Sequence, residues 1–244
     1  MLRPILEDGP KKIVHDFKKI YNAFYIKGIF LFPVVFDTML ASYILEPDSK
    51  EFDLISISKL YLKVQISDKE SCEKSSYFSE RIECIKNLTA ILKEKLANND
   101  RLKLLEDLEL PLVKVLSEME LSGISIDEQF LNVLKQETKE LIFNLENKIY
   151  DLAGEKFNIL ATKKLAEILF EKLNLPAKKK TKKGYSTDSI VLDELSDKHP
   201  LPAMILEYRH ISKLINTHIE VFPEMIHKKT KRLHTYFDQT GAAT

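Results

Sequence analysis

The chain has only two cysteines, Cys72 and Cys84, in 244 residues. Their spacing matches no metal motif, and two thiols build no disulfide framework, which fits a reducing cytoplasm. Long apolar runs are also missing. The richest, "IKGIFLFPVVF", is about half a membrane span and carries Lys27 and Pro33. No secretory leader is visible, because "MLRPILEDGP" is charged and broken by prolines. Net charge is absent as well, with 37 Lys+Arg against 37 Asp+Glu. No internal repeat is seen. A soluble protein without a membrane segment is expected.

The balance of charge is uneven. From Ala161 to Thr244 there are 15 Lys+Arg against 10 Asp+Glu, so the C-terminal part can attract anions although the whole is neutral. The densest cationic stretch is "PAKKKTKKGYSTDSIVLDEL", with Lys178, Lys179, Lys180, Thr181, Lys182 and Lys183 in succession. A lysine run alone reads equally as a solvated linker. Its neighbours add to it. Gly184 lets a backbone approach a ligand. Ser186, Thr187 and Ser189 sit where a helix should begin, so hydroxyls and free N–H groups would face a phosphate together. Thr162 and Lys163 repeat the pattern at another helix start, where ordinary capping is the plainer reading. In "EYRHISKLINTHIE", Arg209, Lys213 and Thr217 are four apart and form one stripe of a helix, with apolar residues opposite. A routine amphipathic surface helix would look the same.

The hydrophobic content of 44% supports packed cores, in one large or two modest domains. The first hundred residues read as mixed α/β with very few strands. Lys11–Tyr25 suggests strand then helix. In "GIFLFPVVFDTMLASYIL" an apolar β-branched run ends at Phe36, and Asp37 caps a helix from Thr38 to about Leu45. Ile82–Lys95 is an amphipathic helix. From Leu108 onward the pattern is nearly all helical. Leu112, Val115, Leu116 and Met119 share a face that stops at Gly123, and Asp127 caps a long helix running to Gly154. Further helices are expected up to Pro176, from about Thr187 to Leu195, and over Ala203–Phe222.

Six stretches in order, "FDTMLASYIL", "LPLVKVLSEMELSGISID", "FNILATKKLAEILFEKL", "KKTKKGYSTDSIVLDEL", "ILEYRHISKLINTHIE" and "RLHTYFDQT", resemble the family A DNA polymerases of the bacterial polymerase I type. The resemblance covers nearly the whole chain. It implies a fold that is α/β plus all-α: residues 1–105 as an incomplete ribonuclease-H-like (3′–5′ exonuclease-like) domain, and 106–244 as the helical thumb and the start of the palm. It implies that the lysine loop touches phosphates, that Arg209, Lys213 and Thr217 follow a minor groove, and that Gln239 and Thr240 lie near the primer–template stem, with Asp238 replacing the family's usual Asn. The partner it implies is primer–template duplex DNA, and a monomer is expected.

The resemblance also says what this stretch lacks. The metal-bound palm carboxylates and the fingers would follow Thr244, so Mg²⁺ is expected for the whole polymerase and no cofactor for this stretch. The first exonuclease carboxylates would precede Met1. Ile20 and Arg81 stand where the third and fourth belong, although Tyr77 keeps the family's tyrosine. An apolar and a cationic side chain cannot ligate a divalent cation, so this stretch is expected to be inactive alone and its first domain to be a scaffold. With its first strands missing, that domain would expose Ile29–Phe36 and be less stable than the helical part. Two other readings compete: an independent ribonuclease-H-like nuclease, which needs a carboxylate cluster that is not found, and a helical module binding RNA, acidic protein or a membrane surface.

Overall fold

The computed structural model describes residues 3–67, 74–176, 180–181 and 184–241. The chain forms two compact units, residues 1–123 together with 234–244, and residues 124–233. Among the described residues, no helix is long and apolar enough to cross a membrane.

The first unit runs α1 (Arg3–Glu7), β1 (Lys12–Val14), α2 (Phe17–Tyr25), β2 (Val34–Asp37), α3 (Thr38–Leu45), α4 (Leu54–Tyr61), α5 (Lys74–Asn98) and α6 (Leu102–Leu104). A wide π turn (Leu105–Glu109) continues α6 into α7 (Leu110–Ser122). β1 and β2 are parallel, with Ile13 opposite Phe36 and Val14 opposite Asp37, and α2 is the crossover between them. α3 begins where the sequence placed it, because the Asp37 carboxylate accepts the Met39 N–H at 2.7 Å. The same carboxylate accepts the Phe17 N–H at 2.6 Å, so one buried anion holds the starts of two helices. α5 is longer than its amphipathic stretch suggested. Leu88, Leu92 and Leu96 lie four apart on it and are fully buried among Leu40, Ile57 and Leu105. Each such burial stabilises by roughly 1.5–3 kcal/mol.

A two-stranded parallel sheet leaves much apolar surface uncovered. Ile13, Phe30 and Phe32 stay exposed, and a cavity of about 880 Å³ opens among Phe17, Tyr21, Val34, Phe36 and Leu110.

α7 corrects an expectation. Val115 and Met119 are exposed, and the buried stripe is Leu110, Val113, Ser117 and Glu120. The polar face goes inward because Glu120 meets a buried lysine, Lys18 of α2. This packing also carries α7 into the first compact unit, which runs to Gly123, and the chain returns to that unit at His234.

The second unit runs α8 (Glu128–Ala153), α9 (Thr162–Ala166) with a π turn (Glu167–Lys172), β3 (Lys180–Thr181), β4 (Gly184–Tyr185), α10 (Ser189–Ser196), α11 (Pro200–Leu214) with a second π turn (Ile215–Ile219), and α12 (Phe222–Met225). The Asp127 cap and the left-handed Gly154 stop bound α8 as expected. Its buried residues are Thr138, Leu145, Ile149 and Ala153, while Phe130 and Leu141 are exposed. Leu165, Leu169, Leu192, Leu201 and Ile205 complete a core that is separate from the first. Ile124 and Leu233 exchange two backbone hydrogen bonds of 2.8 Å, which close the unit between its two ends. Leu233 makes a second such bridge to Ile226.

Two predictions follow from the first unit. Amide exchange should be faster in β1 and β2 than in α10 and α11, and equal protection would contradict the account of the uncovered sheet. The second concerns pH. Burial raises Asp37 from 3.8 to about 6, whereas burial lowers His15, whose Nδ1 meets Thr38 Oγ1 at 2.9 Å, from 6.5 to about 4. As pH rises through the window between 3.8 and about 6, Asp37 loses stability; as pH rises from about 4 to 6.5, His15 gains it. The two oppose each other over most of that range. Asp37→Asn removes the first, so urea denaturation should show its stability climbing between pH 4.5 and 6.5 more steeply than that of the unchanged protein; parallel profiles would refute this.

Candidate nucleic-acid interface

The lysine loop enters the second unit as a hairpin. Lys180 pairs with Tyr185 and Thr181 with Gly184, antiparallel. Lys178, Lys179, Lys182 and Lys183 lie outside the described residues. Tyr185 seats the hairpin on the core, its ring 5.0 Å from that of Phe170.

The next residues depart from expectation. α10 starts at Ser189, and Asp188 is its cap, accepting the Val191 N–H at 2.9 Å. Ser186 Oγ donates to the other oxygen of the same carboxylate at 2.9 Å. The helix start is therefore occupied by an anion, and Ser186 serves that anion rather than facing outward. Thr187 is buried at 5% exposure. Its carbonyl accepts from Arg209 Nη1 at 2.6 Å, and its hydroxyl lies 3.4 Å from Nη2. Burial holds the Arg209 guanidinium below its ordinary pKa, although such a group remains charged at any physiological pH.

Arg209 thus ties α11 to the strand that leaves the hairpin. Below it on the same helix side, Lys213 and Thr217 are exposed. Thr217 Oγ1 donates back to the Lys213 carbonyl at 2.5 Å, and Lys213 forms no ion pair among the described residues. Arg209, Lys213 and Thr217 line one concavity of about 380 Å³, together with Ser189, His210 and His218. The two histidines were not singled out in the sequence. Their signal was there: His210, Leu214 and His218 repeat every four residues beside the Arg209 stripe.

Thr162 and Lys163 are exposed at the start of α9, where Ala161 holds the cap position and no side chain caps. Gln239 and Thr240 belong to the first unit. Gln239 Nε2 donates to the Glu109 carbonyl at 2.9 Å and to its carboxylate at 2.7 Å, leaving Gln239 Oε1 buried without a partner. Thr240 folds onto Asp238, donating its N–H and its hydroxyl to one carboxylate oxygen at 2.9 Å each.

Ile20, Tyr77 and Arg81, singled out in the sequence, make packing and local contacts. Ile20 packs half-buried on the first core. The Arg81 guanidinium lies 3.8 Å over the Tyr77 ring, and its Nη1 donates to the Ser67 carbonyl at 3.0 Å. Glu80 accepts the Ser67 N–H, so this helix turn clasps a loop. The adjoining cleft, about 510 Å³, sets Lys19, Lys50 and Arg81 beside Asp16 and Asp53. Asp16 and Asp53 cap α2 and α4. Among the described residues, no group of three His, Cys, Asp or Glu is placed to hold a metal ion, and Ile20 and Arg81 do not suit one.

The family model for DNA polymerase family A matches residues 128–244, and that for the DNA polymerase I ribonuclease H-like domain matches residues 1–72. DNA polymerase I of Bacillus subtilis is 39% identical over 97% of this chain and 28% of its own length. DNA polymerase I of Caldicellulosiruptor bescii is 37% identical over all of this chain and 28% of its own length. A solved structure described as the POL domain of Pol1 from M. smegmatis, in complex with DNA primer-template and dNTP, superposes with a TM-score of 0.86. It is 31% identical and covers 99% of this chain and 42% of its own. This chain belongs to the family A DNA polymerases, on the side of the bacterial DNA polymerases I. It spans a little over a quarter of the length of the curated relatives it matches.

The Arg209 contact is testable. Arg209→Met leaves the buried Thr187 carbonyl unpaired, which should cost about 1–3 kcal/mol. Amide exchange should rise first at residues 186–191; a variant as protected there as the unchanged protein would refute the tie.

Proposed function

We propose that this chain is the duplex-gripping part of a DNA-directed DNA polymerase I that acts in replication and repair. The observation that carries the reading is the concavity beside α11, where Arg209, Lys213 and Thr217 share one face. Arg209 is stiffened by Thr187, so its guanidinium meets a groove with little entropy left to lose. Lys213 is free to neutralise a phosphate, and the hairpin lysines add further charge. Contacts of this kind fix position on the backbone and read shape rather than sequence. Thr162, Lys163, Gln239 and Thr240 are proposed as further DNA contacts, the last two near the primer–template stem. The protein would work as a monomer in the cytoplasm.

None of these residues is a paired carboxylate of the sort that nucleotidyl transfer uses. That chemistry is assigned to other parts of the polymerase, with Mg²⁺ as its metal. The exonuclease-like unit is proposed to be inactive, since Ile20 and Arg81 occupy carboxylate positions.

Titration against primer–template DNA, single-stranded DNA and duplex RNA at two salt concentrations tests the reading. Primer–template should bind most tightly. Alanines at Lys178, Lys179, Lys180, Lys182 and Lys183 should weaken binding uniformly across sequences and flatten the salt slope, by about 0.9 log units per lost phosphate contact. An unchanged slope would reduce the lysines to a solvated linker. Preference for RNA would favour a general interaction module. Nucleotide release from labelled single strands on adding magnesium or manganese would favour the nuclease.

A further inference from the structure

Lys18 is the most deeply buried cation among the described residues, at 3% exposure. It sits on α2 between Phe17 and Tyr21, where an apolar residue would suit the packing better. Its Nζ donates to Glu120 Oε1 at 2.5 Å and also to the Phe237 carbonyl, and it lies 3.8 Å over the Tyr236 ring. Glu120, at 7% exposure, is equally committed. The same Oε1 accepts the Phe237 N–H at 2.8 Å, Oε2 accepts from Asn22 Nδ2 at 2.8 Å, and the Glu120 carbonyl meets His234 Nδ1 at 2.7 Å.

Three stretches far apart in sequence therefore converge on one charge pair: α2, the end of α7, and residues 234–237, which follow the return of the chain to the first unit. Glu120 lies three residues before the point where the chain leaves that unit, and Phe237 three residues after the point where it comes back. Desolvating two charges is expensive, and such a pair is seldom the most stable filling for a core. It is directional, however. It accepts one backbone register of the returning segment, where an apolar contact would tolerate sliding. The Phe237 N–H and C=O are both taken by it, as the two ends of a strand pairing would be.

We propose that Lys18 is a positioning residue that locks the returning segment, residues 234–241, in a single register, so that the exonuclease-like unit serves as the seat from which the rest of the polymerase continues. The fold alone carries the locking role; the word polymerase rests on the reading above. This gives that unit a role that needs no exonuclease chemistry.

Hydrogen exchange on the full chain tests it. In Lys18→Met, the amides of residues 236–240 should exchange at least tenfold faster while α10 and α11 keep their rates. Lys18→Arg, which keeps a cation over the Tyr236 ring, should recover part of that protection. Tyr236→Leu, at an exposed ring, should give a smaller loss confined to the same amides, and serves if Lys18→Met fails to fold. Unchanged exchange at residues 236–240 in the variants that fold would overturn the proposal. So would an equal loss throughout the first unit, because the pair would then be ordinary core. Failure of the unchanged protein to bind primer–template, with residues 236–240 responding to Lys18→Met as expected, would count against the duplex-gripping reading only.

Discussion

The buried pair Lys18–Glu120 is the constraint on which the chain's two-part layout depends. A long helical insertion, residues 124–233, has to leave and re-enter the first unit without letting its ends drift. The Ile124–Leu233 bridge joins the two ends on the insertion's side. On the other side, Glu120, carried by the helix that leaves, binds both Lys18 of α2 and the segment that comes back. Removing either charge leaves the other desolvated, which is costly in a way that losing an apolar contact is not. The face that α7 buries follows from the same pair. With Glu120 turned inward, Val115 and Met119 are left outward.

A second polar tie organises the helical insertion. Arg209 reaches from α11 to the Thr187 carbonyl, and Asp188 beside it caps α10. Tyr185 seats the hairpin on the core, and the Arg209 tie holds the segment that follows it. The tie explains why this arginine is half-buried while Lys213, one turn further on, is open to solvent. One cation is spent on architecture and partly on charge display, and the other on display alone. The acidic cap shifts the candidate interface away from the start of α10 and onto the side of α11.

In the first unit, charged side chains around one cleft serve as local fastenings. Arg81 cannot hold a metal, yet it is not idle. It stacks on Tyr77 and, with Glu80, fastens Ser67. Asp16 and Asp53 remain near the cleft and are engaged as helix caps. Nearby, Asp37 accepts backbone N–H groups where β2 passes into α3.

Local chemistry was legible in the sequence. The Asp37 cap, the Asp127 cap and the Gly154 stop need only the few residues around them, since capping and left-handed turns are short-range effects. The four-residue spacing of Arg209, Lys213 and Thr217 likewise fixed a shared helix side whatever the surroundings. The serine and threonine before α10 misled because Asp188 competes for the same N–H groups, and a carboxylate wins that competition. The unit boundary, the inward face of α7, the burial of Thr187 and the role of Lys18 were decided by tertiary structure. Lys18 and Glu120 are 102 residues apart, and nothing local to either says that a charge belongs in the core. A buried ion pair is favourable only once both partners arrive together, so its presence could be settled only by the fold that brings them into contact.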